Sequence, residues 1–239
     1  MRVEKFDGIT LYNADCREIV ESGVYYDTLI SDPPYGMAFR SNHRAEKHAA
    51  IANDGDVGML QWTCGLPAEH SKYIFCRWDN LPDVPKPKSL VTWVKNNWSM
   101  GDLQHEHGRQ TEVALFYPGP EHFFANGRPS DVVYAPRTGS ADHPTQKPVG
   151  LMEQVVLWTA GIVFDPFMGS GTTGIACAKL GRQFVGVELD TSYFDIACRA
   201  IEAAVGTPSM FRLKVKLAAA PTADMFAAND NTKDQQIAA

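Results

Sequence analysis

A doubly wound, mostly parallel α/β sheet with an antiparallel strand at one edge is what this sequence predicts, on three observations. Short apolar runs alternate with stretches of helical periodicity, the pattern that parallel strands with crossover helices produce. Near the C-terminal end, "IVFDPF", a glycine loop, "TTGIACAKLG", "FVGVELD" and "SYFDIACRAIEAAVG" complete a βαβα unit. In the middle, strand-like runs follow one another across turns, which adds the antiparallel element.

The elements follow in order. "FDGITLYNADCREIV" reads as a tight turn at Asp7-Gly8, a strand from Ile9 to Tyr12, and an acidic turn that opens a helix. "YDTLISDPPY" is the next strand, and the polar "GMAFRSNHRAEKHAAIANDGD" after it has no sustained period and reads as a long loop. "YIFCRW" and "SLVTWVKNN" are strands on either side of the proline-rich "DNLPDVPKPK", and "TEVALFYPG" is a strand ended by Pro118-Gly119. In "HPTQKPVGLMEQVVLWTAG", Leu151, Val155, Val156 and Trp158 make one helical face. The Ala-, Asp-, Asn- and Gln-rich tail, residues 217–239, is expected to be disordered.

The chain has 239 residues, enough to bury the core of one large domain. Its 44% hydrophobic and 21% charged residues are ordinary for a globular protein. No apolar run approaches the roughly 20 residues of a membrane span, and Met1 to Lys5 do not lead into a signal-peptide core, so no membrane association and a cytoplasmic location are expected. Five cysteines without a CxxC spacing read as buried reduced thiols. The formal net charge of -6 announces no nucleic-acid partner, but residues 36–150 hold twelve Lys/Arg against twelve Asp/Glu and all seven histidines, so the middle of the chain is the part suited to phosphate.

"VFDPFMGSGTTG" follows a strand and opens a helix, and Gly169, Gly171 and Gly174 fit G-x-G-x-x-G, with Glu188 at the end of the next strand where an acid binds ribose hydroxyls. Alone, this pattern permits an NAD-dependent oxidoreductase. Asp165, directly before the glycines, argues against it, because a carboxylate there repels pyrophosphate and suits an amino or cationic group. A cofactor with an α-amino group, a carboxylate, a sulfonium and a ribose matches that mixture, which describes S-adenosylmethionine. Gly169 and Gly171 would let the backbone approach it, and the helix N-terminus at Thr172 and Thr173 would receive its carboxylate.

The second informative turn is "SDPPYG". Proline donates nothing to a ladder and biases the residue before it toward extended geometry, so Asp32-Pro33-Pro34-Tyr35 is a stiff exit from a strand. An exocyclic nucleobase amine has its lone pair delocalised into the ring and is a poor nucleophile. The Asp32 carboxylate and the Pro33 carbonyl can each take one N–H and aim the lone pair at a methyl carbon. Pro34 adds no competing N–H, and Tyr35 offers a ring for a base that has left the duplex.

With "LYNADC", "YDTLISDPPYG", "LVTWVKNN", "HPTQKPVGLMEQVV" and "VFDPFMGSGTTGIACAKLGRQFVGVELD", the chain resembles the DNA amino-methyltransferases of the N6-adenine/N4-cytosine family over roughly residues 8–203. The catalytic turn precedes the cofactor loop, as in the family's beta class. The resemblance implies a Rossmann-like methyltransferase fold in circularly permuted order. Residues 1–216 would form a single methyltransferase domain, with short target-recognition inserts at about 37–60 and 95–137. It further implies that Asp15 contacts the cofactor adenine, Glu188 its ribose hydroxyls, and Asp165, Phe167, Gly169 and Gly171 its methionine moiety and ring pocket. Lys147 would approach the cofactor carboxylate, and Asp32, Pro33, Pro34 and Tyr35 would form the catalytic turn.

Double-stranded DNA is then the expected substrate, with Arg40, Arg44, Lys47 and Arg109 on phosphates. His143 in "HPTQKP" has no companion at ligand spacing, and "HEHGRQ" (His105 to Gln110) reads as a polar DNA-facing loop, so no metal is expected. Trp98 is the tryptophan best suited to a base or backbone contact. In this family the DPPY spelling leans toward N6 of adenine and Ser-Pro-Pro spellings toward N4 of cytosine, so adenine is expected and cytosine is the alternative. An inactive DNA-binding module on the same fold is a further alternative, disfavoured by the intact acceptors. Relatives are often homodimers. No second catalytic motif is visible, so cleavage would belong to a separate restriction endonuclease.

Overall fold

Strands β3 (Thr28–Ser31) and β8 (Val163–Asp165) lie side by side and parallel in the interior of one sheet, and every residue of both is buried. A strand covered on both faces is an unbroken apolar run rather than an alternating one, which is what makes "TLI" and "IVF" readable as strands. The computed structural model describes residues 1–34, 57–98, 103–105, 107–137 and 146–207. Tyr35, Arg40, Arg44, Lys47, His143 and the tail 217–239 lie outside the described residues.

On one side of this pair the sheet continues through β9 (Phe184–Glu188), β2 (Ile9–Asn13) and β1 (Arg2–Phe6). On the other it continues through β4 (Ser71–Cys76), β6 (Thr111–Pro118), β5 (Ser89–Val94) and β7 (Val132–Tyr134). The order is β1-β2-β9-β8-β3-β4-β6-β5-β7. Among the described strands, only β1 and β6 run against the rest: the antiparallel element expected from the middle of the chain is β6, which lies inside the sheet between β4 and β5 rather than at its edge, and the antiparallel edge strand is β1. The expected fold class therefore holds. Two strands escaped the sequence reading, β1, whose "RVEKF" alternates charge on an exposed edge, and the three-residue β7.

Neighbouring residues of a strand point to opposite faces, and Leu29 and Ile30 accordingly enter two different cores. Ile30 joins the core under α3 (Val149–Leu157), α4 (Thr172–Leu180) and α5 (Thr191–Gly206), built from Leu151, Val155, Phe194 and Ile201 among others. Leu29 joins the core under α1 (Cys16–Glu21) and α2 (Gly58–Gly65), with Ile19, Leu60 and Phe164. Each such side chain, fully buried, contributes about 1.5–3 kcal/mol. All five cysteines are free and buried, consistent with their reading as small apolar residues.

Local chemistry sets the ends of these elements. The Asp15 carboxylate accepts the Arg17 N–H and caps α1, and the Asp190 carboxylate accepts the N–H groups of Ser192 and Tyr193 and caps α5. A Cβ on Gly174 would stand 2.4 Å from Cδ1 of Ile201 and 2.8 Å from Cε1 of Phe184, so glycine lets α4 close onto α5 and β9. From β3 the sheet grows toward β4, and from β8 it grows the other way toward β9. This is the switch in strand order outside which ligands collect, at the carboxyl ends of the strands.

Candidate active site

Three carboxylates stand at the carboxyl ends of adjacent strands at that switch: Asp32 follows β3, Asp165 ends β8 and Glu188 ends β9. Asp165 is 4% exposed. Its Oδ2 accepts the Thr173 hydroxyl at 2.7 Å and its Oδ1 the Phe167 N–H at 3.1 Å. Burial, reinforced by the charges of Asp32 and Glu188, outweighs these bonds and pushes the carboxyl up to about 7. Burial also raises Glu188, whose Oε2 accepts the Gly169 N–H at 3.0 Å and whose Oε1 accepts the Asp190 N–H at 2.8 Å.

The glycine loop between them is held from both sides. Met168 N–H donates to the Val187 carbonyl at 3.0 Å and Gly171 N–H to the Met168 carbonyl at 2.8 Å. Gly169 has φ +52°, and among the described residues a Cβ there would meet nothing within 4 Å, so its backbone borders space that they leave open. Gly171 has φ +86°, and a Cβ would press on Cβ of Ala197 at 3.0 Å. Thr172, buried, is the first residue of α4, and Phe167 is partly buried with its ring edge-on to Trp62 at 6.3 Å. Asp15 stands after β2, whose Asn13 pairs with Glu188, so it shares the same rim, and its carboxylate is ion-paired with Arg17 at 2.5 Å.

This donor set fits S-adenosylmethionine. A carboxylate held near neutrality by burial and by neighbouring acids is stabilised by an ammonium or sulfonium and repels a pyrophosphate. Glu188 keeps an acid at the end of β9, and the open backbone at Gly169 leaves a cradle that any side chain would fill.

On the other side of the switch, Asp32 is held by one oxygen. Its Oδ2 accepts from Nζ of Lys147 at 2.5 Å, while its Oδ1 is buried with no partner among the described residues. Pro33 is buried and Pro34 half-buried beside it. The resemblance implies that Lys147 approaches a cofactor carboxylate, yet here its ammonium, 5% exposed, sits on Asp32 and reaches Oε2 of Glu112 at 3.3 Å. The other oxygen of Glu112 accepts from Nζ of Lys95 at 2.5 Å, and Lys95 is 7% exposed. Four alternating charges, Asp32, Lys147, Glu112 and Lys95, thus run back from the turn after β3. Burial raises Asp32 more than Lys147 lowers it, whereas at Glu112 burial is outweighed by Lys147 and Lys95 and the carboxyl is lowered.

Sequence reasoning missed Glu112 and Lys95. Each looks like an ordinary charge at a strand end, and only the pairing of β5 with β6, Trp93 opposite Glu112 and Val94 opposite Thr111, places them together. Opposite charges at the facing ends of consecutive strand-like runs were the available signal. Of the residues expected on DNA, Arg109 is half-buried two positions before β6, and Trp98 is 67% exposed beyond the end of β5. Trp78, which opens the 3-10 turn after β4, is 66% exposed at the same end of the sheet. No helix among the described residues is long and apolar enough to cross a membrane.

Comparison with known proteins points the same way. A DNA methylase family, N6_N4_Mtase, matches residues 85–199. The candidate methylase YubD of Escherichia coli K12 is 28% identical over 201 residues, covering 75% of this chain and 84% of that protein. The type II methyltransferase M2.DpnII of Streptococcus pneumoniae is 44% identical over 64 residues, 26% of this chain and 24% of that one. The crystal structure of the M1.HpyAVI–SAM complex superposes with a TM-score of 0.62 at 28% identity, covering 80% of this chain and 98% of the other. The cytosine-N4-specific PvuII DNA methyltransferase shares the fold at a TM-score of 0.60 and 12% identity, covering 90% and 94%.

Proposed function

We propose that the chain is a DNA amino-methyltransferase of the N6-adenine/N4-cytosine family that uses S-adenosylmethionine and methylates the N6 amine of adenine at a specific site in double-stranded DNA, a reading supported by the DNA methylase family match and by the relatives named above. The observation that carries the reading is the half-occupied carboxylate of Asp32, one oxygen tied to Lys147 and the other buried and open, one strand away from Asp165.

In this reading Glu188 binds the ribose hydroxyls, Asp165 the α-ammonium, Asp15 the adenine, and Phe167 packs on its ring. The backbone at Gly169 and Gly171 approaches the methionine moiety, and the N-terminus of α4 at Thr172 receives its carboxylate. When bound, S-adenosylmethionine supplies an electrophilic methyl carbon on a sulfonium sulfur. Asp32 Oδ1 accepts one N–H of the flipped base and the Pro33 carbonyl accepts the other, which turns the nitrogen lone pair away from the ring. Oδ1 would be placed to hold the proton that the nitrogen sheds on gaining a methyl group, with the electron pair of the broken carbon–sulfur bond left on the sulfur. Tyr35 stacks on the extruded base, and Arg40, Arg44, Lys47 and Arg109 hold phosphates. The mark would shield the site from a restriction endonuclease carried on a separate chain.

The DPPY spelling supports adenine. Incubation with tritiated S-adenosylmethionine and duplex DNA, followed by mass spectrometry of the digested nucleosides, should give N6-methyladenine. N4-methylcytosine would overturn the choice of base, and unlabelled DNA the reading as a whole.

A further inference from the structure

Lys147 stands immediately before α3, Glu112 near the start of β6, and Lys95 just past the end of β5. They arrive from three separate parts of the chain, and their charged groups form one row, with both lysines buried and Glu112 partly so, that ends on Asp32. Each ammonium also has one aromatic ring beside it: Nζ of Lys147 lies 5.3 Å from the Phe75 ring centroid and Nζ of Lys95 lies 5.0 Å from that of Trp93. Burying two ammonium groups this thoroughly is unfavourable unless each is paired, and structural ends could be met with apolar residues of the same size. The expense is concentrated on one oxygen of one residue.

We propose that Lys147 and Glu112 are positioning residues for the catalytic carboxylate: Lys147 fixes Oδ2 of Asp32 so that Oδ1 is the oxygen presented to the target amine, and Glu112, itself anchored by Lys95, fixes Lys147. The assignment rests on Asp32 being the acceptor for the amine. It gives Lys147 a role toward substrate geometry rather than toward the cofactor. Without Lys147 the Asp32 carboxylate would be free to rotate, and either oxygen, or neither, would face the nitrogen. A misplacement of about 1 Å at a reacting group is enough to lose about 10²-fold in rate.

The charges around Asp32 determine a test that a merely structural role would not satisfy. Facing it are Lys147 ahead of α3, Glu112 on β6, Lys95 after β5, Asp165 on β8 and Cys76 on β4. Lys147 favours the ionised form of Asp32 and Glu112 opposes it. Lys147→Met should therefore move the Asp32 titration to higher pH, Glu112→Gln should move it to lower pH, and Lys147→Arg should stay near wild type. The titration is read directly in protein without cofactor or DNA, from the carboxyl carbon resonance of ¹³C-aspartate that disappears in Asp32→Asn. In turnover, Lys147→Met should lose about 10²-fold in kcat with KM for S-adenosylmethionine within about twofold, and the acidic limb of the pH profile should shift with the resonance.

An Asp32 resonance that ignores both substitutions, or moves the same way in both, overturns the proposal, as does a kcat for Lys147→Met within about threefold of wild type. If Lys147→Met does not fold, the double variant Lys147→Met/Glu112→Gln, which removes one charge of each sign, takes its place. Wild-type kcat in that variant would refute the positioning role, and a loss of about 10²-fold supports it. Should wild-type protein mark cytosine or nothing, the proposed function fails while the resonance experiment still decides whether Lys147 and Glu112 hold Asp32.

Discussion

With Asp165 holding the cofactor ammonium, as proposed, cofactor binding and folding should respond to pH in opposite directions. Its carboxyl is raised from an ordinary 3.8 to about 7, chiefly by burial. Between these values the folded protein holds a proton that the unfolded chain has released, so stability without cofactor falls as pH rises from about 4 to 7 and levels off above. The full difference is on the order of 4 kcal/mol. A cationic cofactor group placed on Asp165 requires the ionised form, so binding must expel the proton. At pH 7 about half the molecules carry it, and binding should release about 0.5 proton per cofactor, rising toward about 0.9 at pH 6 and vanishing by pH 9. Calorimetric titration of S-adenosylmethionine in buffers of different ionisation enthalpy gives that number as a slope. Asp165→Asn should abolish the slope, weaken binding, and gain thermal stability over wild type at pH 8 relative to pH 5. A slope of zero in wild type, or parallel melting curves for the two proteins across that range, would refute the reasoning.

Three further outcomes are expected. Asp32→Asn, which keeps the shape but surrenders the charge, should lose about 10²–10³ in kcat with little change in cofactor affinity by calorimetry. Tyr35→Ala should lose both turnover and the fluorescence of a flipped 2-aminopurine at the target position, while Tyr35→Phe keeps most of both, since stacking on the ring is worth about 1–3 kcal/mol. Gly174→Val should lower the melting temperature through an overpacking cost of about 1–3 kcal/mol, because its Cβ would lie 2.4 Å from Ile201, and equal melting curves would contradict the packing described for α4.

The legible parts of this protein were those in which neighbouring residues decide together. Strands β3, β8 and β9 are short buried runs, and the acidic turn at Asp15 and the glycine turn at Gly169 to Gly171 are local chemistry. Element α2 was not read, because "GMLQWTCG" carries glycine at both ends and little amphipathic contrast. At the site, the acids on strand ends were visible because a carboxylate beside glycines or prolines is conspicuous. Glu112 and Lys95 were not, since their meaning depends on which strand β6 pairs with, and that pairing is fixed by tertiary packing rather than by local preference.

The adjacency of β3 and β8 also bears on how the chain is made. Asp27 and Ile162, joined by a hydrogen bond at the foot of these two strands, are separated by 135 residues. At synthesis rates of 5–20 residues per second, β3 leaves the ribosome roughly 7 to 27 s before β8 can cover its edge. In that interval Leu29 and Ile30, destined for two cores, have β4 to pair with on one side only. An apolar, unpaired strand edge is a template for association with other chains. The order that sets Asp32 ahead of the glycine loop therefore keeps these two turns of the candidate site apart until β8 has been made.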